Sequence, residues 1–318
     1  MRAASRKSMA SSFSLSMSVW FCVPEQGMRE MEILCRSSAF VVPSVNKKKF
    51  GKSFHIVTCS HVSSPWLWPK YYNQDWLKAV DHRHVFYTVE VRHEDGVFAT
   101  QIDLLARSYH HNYKDLSVLH FENEESACSD LQVTGFEALN IQNKKFNTED
   151  LLDFQGHDVF GDQLIPIPQN IPGVFSYGTN RQNFFKTANV LTSGMCGGPV
   201  VSKELINSPS SNQLIKCSNS FQVRGMVEGI IPTNYSDENL RGLACVISSD
   251  DILEFLEDVE NGDATCYQGG ESADFAGANI EDYKTTLSYL NEMDKPSNEN
   301  DKNPSSQPGF RNGKRRLN

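Results

Sequence analysis

Long apolar runs are missing from this chain, whose mean hydropathy is −0.43. A helix that crosses a membrane needs about 20 consecutive apolar residues, so neither a membrane-spanning helix nor a membrane partner is expected. Positive charge is also scarce, because 30 lysines and arginines face 39 aspartates and glutamates, for a net charge of −9. Nucleic-acid binding normally leaves a basic footprint, and this balance therefore argues against a nucleic-acid partner.

Cysteine pairs with zinc-finger spacing are absent too, although the chain has eight cysteines. The even count suits a disulfide framework, but a chain of 318 residues is large enough to fold without cross-links. We interpret the cysteines as reduced thiols of an intracellular protein. Histidines alone, at the spacing of His82, His84, His110 and His111, are weak evidence for a metal. We therefore expect no metal site and no cofactor.

Acidic residues are absent from the N-terminus until Glu25, while seven serines and several basic residues precede Val19. This composition is typical of an organellar transit peptide, and equally of a plain disordered leader. The two interpretations stay open for residues 1–17, with a mitochondrion or another organelle as the possible destination.

What the sequence does contain is a series of short apolar runs bounded by turn residues. Examples are Ala39–Val42, Phe54–Thr58 and Val85–Arg92, the last of which is rich in β-branched and aromatic residues. Asp95-Gly96 follows that run and precedes another, which is a strong signal for a β-hairpin. Repeated short strands joined by turns predict an all-β fold.

The most informative segment is a glycine-rich loop that carries a cysteine. It reads Gly194-Met195-Cys196-Gly197-Gly198 and is followed by proline and valine. Glycines on both sides of a reactive residue let the chain turn tightly and direct backbone N–H groups into one small space. Such a space can stabilise the oxyanion that forms when a peptide carbonyl is attacked.

A nucleophile of this kind needs a base and a group that orients the base. Upstream, the apolar run Phe54–Thr58 leads to His61, and Asp115 opens a second apolar run, Leu116–Leu119. The order histidine, aspartate, nucleophile is the order found in the chymotrypsin-type triad.

These three segments resemble the motifs of trypsin-like, chymotrypsin-fold peptidases, and the compact Deg/HtrA branch in particular. The segment "IVTCSHV" matches the histidine motif with two substitutions, "DLSVL" matches the aspartate motif, and "GMCGGPV" matches the nucleophile motif with cysteine in place of serine. The resemblance spans roughly residues 18–257 and implies two six-stranded-type antiparallel β-barrels with a C-terminal helix.

On this resemblance, residues 18–135 form the N-terminal barrel and residues 136–262 form the C-terminal barrel with its terminal helix. The resemblance ends there. Apolar residues at helical spacing predict a helical extension over residues 263–295, and the polar composition of residues 296–318 predicts a disordered tail. Residues 263–318 are the expected contact for a protein partner, if there is one.

The resemblance also implies a role for each site residue. His61 is the general base, Asp115 orients its imidazole, and Cys196 is the nucleophile. The backbone N–H groups of Gly194 and Cys196 form the oxyanion hole. The activity implied is that of an endopeptidase acting on a polypeptide substrate.

Substrate selection is assigned to the cleft-lining segment Val227-Glu228-Gly229. Viral relatives with a cysteine nucleophile read glutamine through a histidine in this strand, and no histidine is present here. Glutamine specificity is therefore not expected, whereas Glu228 would favour a basic residue. His157 is interpreted as structural.

A catalytically silent protein with the same fold is the alternative. Serine and cysteine codons differ by one base, so a barrel kept for binding can drift at this position. In that case the chain is a scaffold or a subunit of a larger assembly. Retention of all three triad residue types favours the enzyme.

Overall fold

The computed structural model describes residues 13–69, 71–161, 164–179, 182–203 and 217–268. The chain is mostly β-structure, with one closed six-stranded barrel, one curled half-barrel sheet and a helix near the C-terminal end of the described chain. The predicted all-β fold with two barrel-like sheets and a C-terminal helix is confirmed.

The first sheet contains eight strands in the order β15-β6-β7-β3-β2-β1-β4-β5. In chain order its strands are β1 (Leu15–Phe21), β2 (Glu32–Pro43), β3 (Phe54–Thr58), β4 (Val85–Arg92), β5 (Phe98–Asp103), β6 (Arg107–His110), β7 (Ser117–Leu119) and, at the far end of the described chain, β15 (Thr265–Gln268).

The second sheet contains seven strands in the order β12-β9-β10-β11-β14-β13-β8. They are β8 (Ala138–Ile141), β9 (Leu151–Phe160), β10 (Ile165–Gly178), β11 (Asn183–Thr187), β12 (Pro199–Lys203), β13 (Cys217–Ile230) and β14 (Ala244–Ser248). An additional pairing of β12 with β13 closes six of these strands into a ring. Full closure removes the exposed edges of a sheet.

Four α-helices accompany the sheets. They are α1 (Lys47–Phe50), α2 (Ser60–Ser63), α3 (Glu124–Thr134) and α4 (Ser249–Asn261). Helix α3 lies in the polar stretch between the two sheets, and Asn123 caps it by accepting a hydrogen bond from the Ser126 N–H. Within the described part of the chain, none of the helices has the length and apolar character that crossing a bilayer requires.

The N-terminal boundary differs from the sequence prediction. Residues 15–17, which were placed in a leader, form the beginning of β1, and Leu15 and Met17 are fully buried. Leu15, Met17 and Val19 alternate with serines at the period of a strand. Three of the serines that suggested a leader, Ser14, Ser16 and Ser18, are buried in the fold, and Ser18 Oγ accepts a hydrogen bond from Arg36 Nε at 2.8 Å. Residues 1–12 lie outside the described residues.

The C-terminal boundary differs as well. A helical extension was predicted from residue 263, but residues 265–268 form β15, which pairs antiparallel with β6. The chain therefore returns from α4 to the first sheet. The remainder of the predicted extension, the helix-like spacing from Ile280 to Met293 and the tail at residues 296–318 lie outside the described residues.

Helix α4 is attached to the first sheet through the carboxylate of Glu260, a residue that is only 7% exposed. Its oxygens accept hydrogen bonds from the backbone N–H groups of Val45 and Asn46 at 2.7 and 2.6 Å, and one oxygen lies 2.8 Å from His55 Nε2. Burial by itself would raise the pKa of Glu260, but these hydrogen bonds outweigh it and lower the pKa. The carboxylate is therefore held in its charged form.

Replacing Glu260 by alanine should destabilise the fold by about 3–5 kcal/mol, because partners in a buried polar cluster lose their acceptor. Chemical denaturation of the wild type and the variant measures this. Glu257→Ala is the matched control, since Glu257 lies exposed on the same helix, and it should change the unfolding free energy by less than about 0.5 kcal/mol.

The same carboxylate sets the pH at which this stabilisation is lost. A carboxyl group whose pKa is lowered by folding stabilises the protein fully above its ordinary pKa of 4.5 and progressively less below it. The difference in unfolding free energy between wild type and Glu260→Gln should therefore be constant above about pH 4.5 and shrink below it. A difference that grows in acid would contradict this assignment.

Candidate active site

His61 and Asp115 lie together at the end of the first sheet. Strand β3 ends at Thr58, and the next residues turn into the short helix α2, which carries His61. Asp115 directly precedes β7, the neighbour of β3. Its carboxylate accepts hydrogen bonds from both the backbone N–H of His61, at 2.8 Å, and the ring Nδ1 of His61. The two residues are 5% and 3% exposed, respectively.

This environment strongly favours the protonated imidazole. Burial alone would lower the pKa of His61, but hydrogen bonding with Asp115 and Cys196, together with their negative charge, raises it to about 10. The structure thus brings all three predicted triad residues to one place. At neutral pH the imidazole carries a positive charge beside the Asp115 carboxylate and the sulfur of Cys196.

Cys196 follows a 3₁₀ turn, Ser193–Met195, in the loop that enters β12. Close contacts with both sheets leave no room for a side chain at two positions of this loop. Gly197 has a φ of +82°, and a Cβ there would lie 2.3 Å from the Ser38 carbonyl oxygen. At Gly198 a Cβ would lie 2.0 Å from the carbonyl oxygen of Gln155. Glycine is therefore required at both positions.

Two serines of β2 hold the nucleophile loop from the other sheet. Ser37 Oγ donates to the carbonyl oxygen of Cys196 at 2.7 Å, and the Ser38 N–H donates to the same oxygen at 3.1 Å. Ser38 Oγ also donates to the carbonyl oxygen of Gly194 at 2.7 Å and accepts from the His157 N–H at 2.8 Å. These contacts fix the cysteine relative to the sheet that carries His61 and Asp115.

The predicted oxyanion donors are Gly194 and Cys196. In the structure the Cys196 N–H already donates to the carbonyl oxygen of Ser193, at 3.2 Å, as part of the 3₁₀ turn. The assignment of these donors stays a prediction. For Cys196 to serve an oxyanion, this turn has to open so that the N–H faces the substrate carbonyl.

An aromatic cover over the imidazole was not found by sequence analysis. The Tyr71 ring stacks on His61 with a centroid separation of 4.8 Å and an interplanar angle of 8°, and Trp68 approaches the same ring edge-on at 6.2 Å. Tyr71 remains 56% exposed. The sequence signal for this cover is the high density of aromatic residues between Trp66 and Trp76. These residues belong to no recognised site motif.

The predicted cleft residues Val227, Glu228 and Gly229 lie in β13 beside this group. The carbonyl oxygen of Val227 accepts a hydrogen bond from the Gly197 N–H at 2.8 Å. The N–H of Val227 donates a hydrogen bond to the carbonyl oxygen of Gly198. Burial, and next the charge of Asp115, raise the pKa of Glu228 to about 7, although a hydrogen bond from Gln182 at 3.4 Å opposes the shift. Glu228 therefore changes charge close to neutral pH.

Cys59 is a second residue that sequence analysis did not place at the site. Cys59 is fully buried in the apolar core. Its thiol nevertheless lies beside the His61–Asp115 pair, with Sγ 3.2 Å from the Val227 carbonyl oxygen. Burial and the negative charges of Asp115 and Cys196 raise the pKa of this thiol well above its ordinary value. The sequence signal that could have placed Cys59 at the site is its position two residues before His61.

His157, which was interpreted as structural, is fully buried in β9. Neither ring nitrogen has a hydrogen-bond partner among the described residues. Burial, with the nearby charges of Arg92 and Arg36, lowers its pKa to about 3, so this ring is neutral at physiological pH.

Seven cysteines in the described chain carry free thiols. They are Cys22, Cys35, Cys59, Cys128, Cys196, Cys245 and Cys266.

No protein-family model and no curated protein matches this chain. The two barrel-like sheets are compatible with a chymotrypsin-like fold. The arrangement of side chains between them is therefore the basis for any statement about function.

Removing the Ser38 hydroxyl should loosen the nucleophile loop. Ser38→Ala removes the side-chain acceptor of the His157 N–H and the shorter of two serine hydrogen bonds to the Gly194 carbonyl, which Ser37 Oγ still reaches at 3.2 Å, so the expected cost is about 1–3 kcal/mol. Thermal and denaturant unfolding measure the loss of stability. Ser16→Ala is the matched control, because Ser16 is equally buried in the same sheet and its hydroxyl has no hydrogen-bond partner among the described residues. Equal effects of the two substitutions would refute the anchoring role.

Proposed function

We propose that this chain is a trypsin-like endopeptidase of the chymotrypsin fold, with cysteine in place of the serine nucleophile. One observation carries the proposal. A buried His61–Asp115 pair, with both carboxylate oxygens engaged, lies beside the thiol of Cys196 in a glycine loop that excludes side chains. A nucleophile, a base and an orienting carboxylate in this order are the parts that acyl transfer requires.

The chemistry follows from the charge of the imidazole. In the resting site the proton of the Cys196 thiol is already on His61, and the protonated ring, held by Asp115, stabilises the thiolate. The thiolate attacks a peptide carbonyl, and the imidazolium then gives its proton to the leaving amine. Water hydrolyses the acyl-thioenzyme, and His61 again accepts the proton that the water releases.

Two contacts favour a resting conformation over the catalytic one. The Cys196 N–H is bound to the carbonyl oxygen of Ser193, and the Tyr71 ring covers the imidazole. Substrate binding has to open the turn and move the tyrosine. The same two contacts support the alternative proposal, a catalytically silent scaffold in which this conformation is permanent.

Alkylation of the cysteines distinguishes the two proposals. Iodoacetamide at pH 6, followed by peptide mapping, should label Cys196 faster than any other cysteine, because the His61 cation holds part of the thiol as thiolate. His61→Ala should reduce this rate by tenfold or more. His110→Ala is the matched control, since His110 is a buried histidine of the same sheet and burial lowers its pKa to about 4.

Hydrolysis is tested in parallel on denatured protein substrates. Wild-type protein should cleave them, Cys196→Ala should not, and Cys196→Ser should retain only a small fraction of the activity. Equal labelling of Cys196 in wild type and His61→Ala, together with no cleavage, would favour the scaffold.

Glu228 is proposed to select a basic residue on the N-terminal side of the scissile bond. Because its pKa is raised to about 7, the side chain is neutral in mild acid and negative above neutrality. The ratio of kcat/KM for an arginine peptide to that for its uncharged citrulline analogue should therefore rise as the pH increases from 6 to 8.

Glu228→Gln should abolish this pH dependence and lower the ratio toward one, while leaving hydrolysis of the citrulline peptide intact. Glu257→Gln, on the exposed face of α4, should behave like wild type in both respects. A ratio that does not depend on pH in the wild type would remove Glu228 from substrate selection.

A further inference from the structure

The thiol of Cys59 lies next to the His61–Asp115 pair and has no part in the mechanism proposed above. One ligand atom from each of the three residues, a sulfur, a ring nitrogen and a carboxylate oxygen, lies within 4.8 Å of both others. All three side chains are buried. In the described chain, no other set of three or more histidine, cysteine or acidic side chains is brought together in this way.

These ligand types suit a thiophilic divalent cation. Zinc binds cysteine sulfur at about 2.3 Å and histidine nitrogen or carboxylate oxygen at about 2.0–2.2 Å, in a tetrahedral arrangement. Such bonds place neighbouring ligand atoms about 3.3–3.8 Å apart. The observed upper limit of 4.8 Å is therefore within roughly 1 Å of the required spacing, a change that rotation of the side chains can supply.

The backbone around the thiol is also suited to a site. Cys59 is held between β3 and α2, and its Sγ faces the Val227 carbonyl oxygen at 3.2 Å, on the strand that lines the cleft. A bound cation removes the thiol proton, since a coordinating thiol is deprotonated outright. The cation would then neutralise the thiolate and the Asp115 carboxylate in a region that is otherwise closed to solvent.

We propose that Cys59, His61 and Asp115 form a binding site for a thiophilic divalent cation such as Zn²⁺. Three protein ligands leave a fourth position, which a water molecule or the neighbouring Cys196 thiolate fills. Binding requires no catalytic step and is independent of whether the chain hydrolyses peptides.

One consequence does rest on the proposed function. A cation bound to His61 prevents the imidazole from accepting the Cys196 proton, so the metal-bound form should be inactive. The cation is thus an inhibitor of this site and no part of its chemistry.

Cobalt provides a readout that does not depend on activity. The full chain, freed of metal with a chelator, is titrated with Co²⁺ in the absence of substrate. Coordination by a thiolate should produce near-ultraviolet charge-transfer absorption that saturates at one Co²⁺ per chain and is displaced by Zn²⁺. X-ray absorption of the zinc form should show a sulfur ligand at about 2.3 Å. The absence of both signals in the wild type would overturn the proposal, whatever the behaviour of the variants.

Substitutions then assign the ligands. Cys59→Ser should weaken Co²⁺ binding at least tenfold, and Asp115→Asn should weaken it by a smaller factor. Cys245→Ser is the matched control, because Cys245 is a buried free thiol of the second sheet outside the three-residue group, and it should bind like wild type. Circular dichroism confirms that each variant is folded.

The outcomes separate this inference from the proposed function. Unchanged binding in folded Cys59→Ser would refute the metal site and leave the hydrolase untouched. Metal binding without any hydrolysis by the metal-free chain would support the site and count against the hydrolase. If Cys59→Ser does not fold, the sulfur signal is measured on the zinc form of Cys196→Ala, in which Cys59 is the one thiol of the proposed site, and its absence there would overturn the proposal.

Discussion

The whole site depends on how closely the nucleophile loop is held against the first sheet. The loop carbonyls of Gly194 and Cys196 accept hydrogen bonds from Ser37 and Ser38, and Gly197 lies where any Cβ would collide with the Ser38 carbonyl. Cys196 belongs to the second sheet, whereas His61 and Asp115 belong to the first. Their side chains lie together only because the loop and the first sheet are in close contact. The glycines of the motif therefore allow the two sheets to come into close contact, in addition to any part in binding an oxyanion.

Sequence alone predicted the parts of the site that follow local rules. The apolar runs ending near His61 and beginning after Asp115 became neighbouring strands, because both runs bury every residue of a short strand. It did not predict Tyr71 or the thiol of Cys59 at the site. Their proximity to His61 is set by the path of a loop and by tertiary packing, which no period in the sequence encodes. Leu15 and Met17 were missed because buried serines alternate with them.

Charge explains why these residues act as a group. Asp115 is shared by the whole site: its carboxylate helps to raise the pKa of His61 to about 10, and it also raises the pKa of Glu228 and of Cys59. Burial amplifies each of these interactions, because little water is present to screen them. Burial is the larger cause of the raised pKa of Glu228 and Cys59, and the Asp115 carboxylate adds to it while also stabilising the imidazolium.

The two uses proposed for this site exclude each other on electrostatic grounds. The imidazolium is stable only with anions beside it, and in the proposed hydrolase these are the Asp115 carboxylate and the Cys196 thiolate. A divalent cation reverses the requirement, because it needs a neutral imidazole and anionic ligands, and Cys59 supplies an additional thiol for that role. Serine at position 196 would bind such a cation poorly. The sulfur at position 196 thus enters both proposals, as the attacking atom of the proposed hydrolase and as one candidate for the fourth ligand of the proposed metal site.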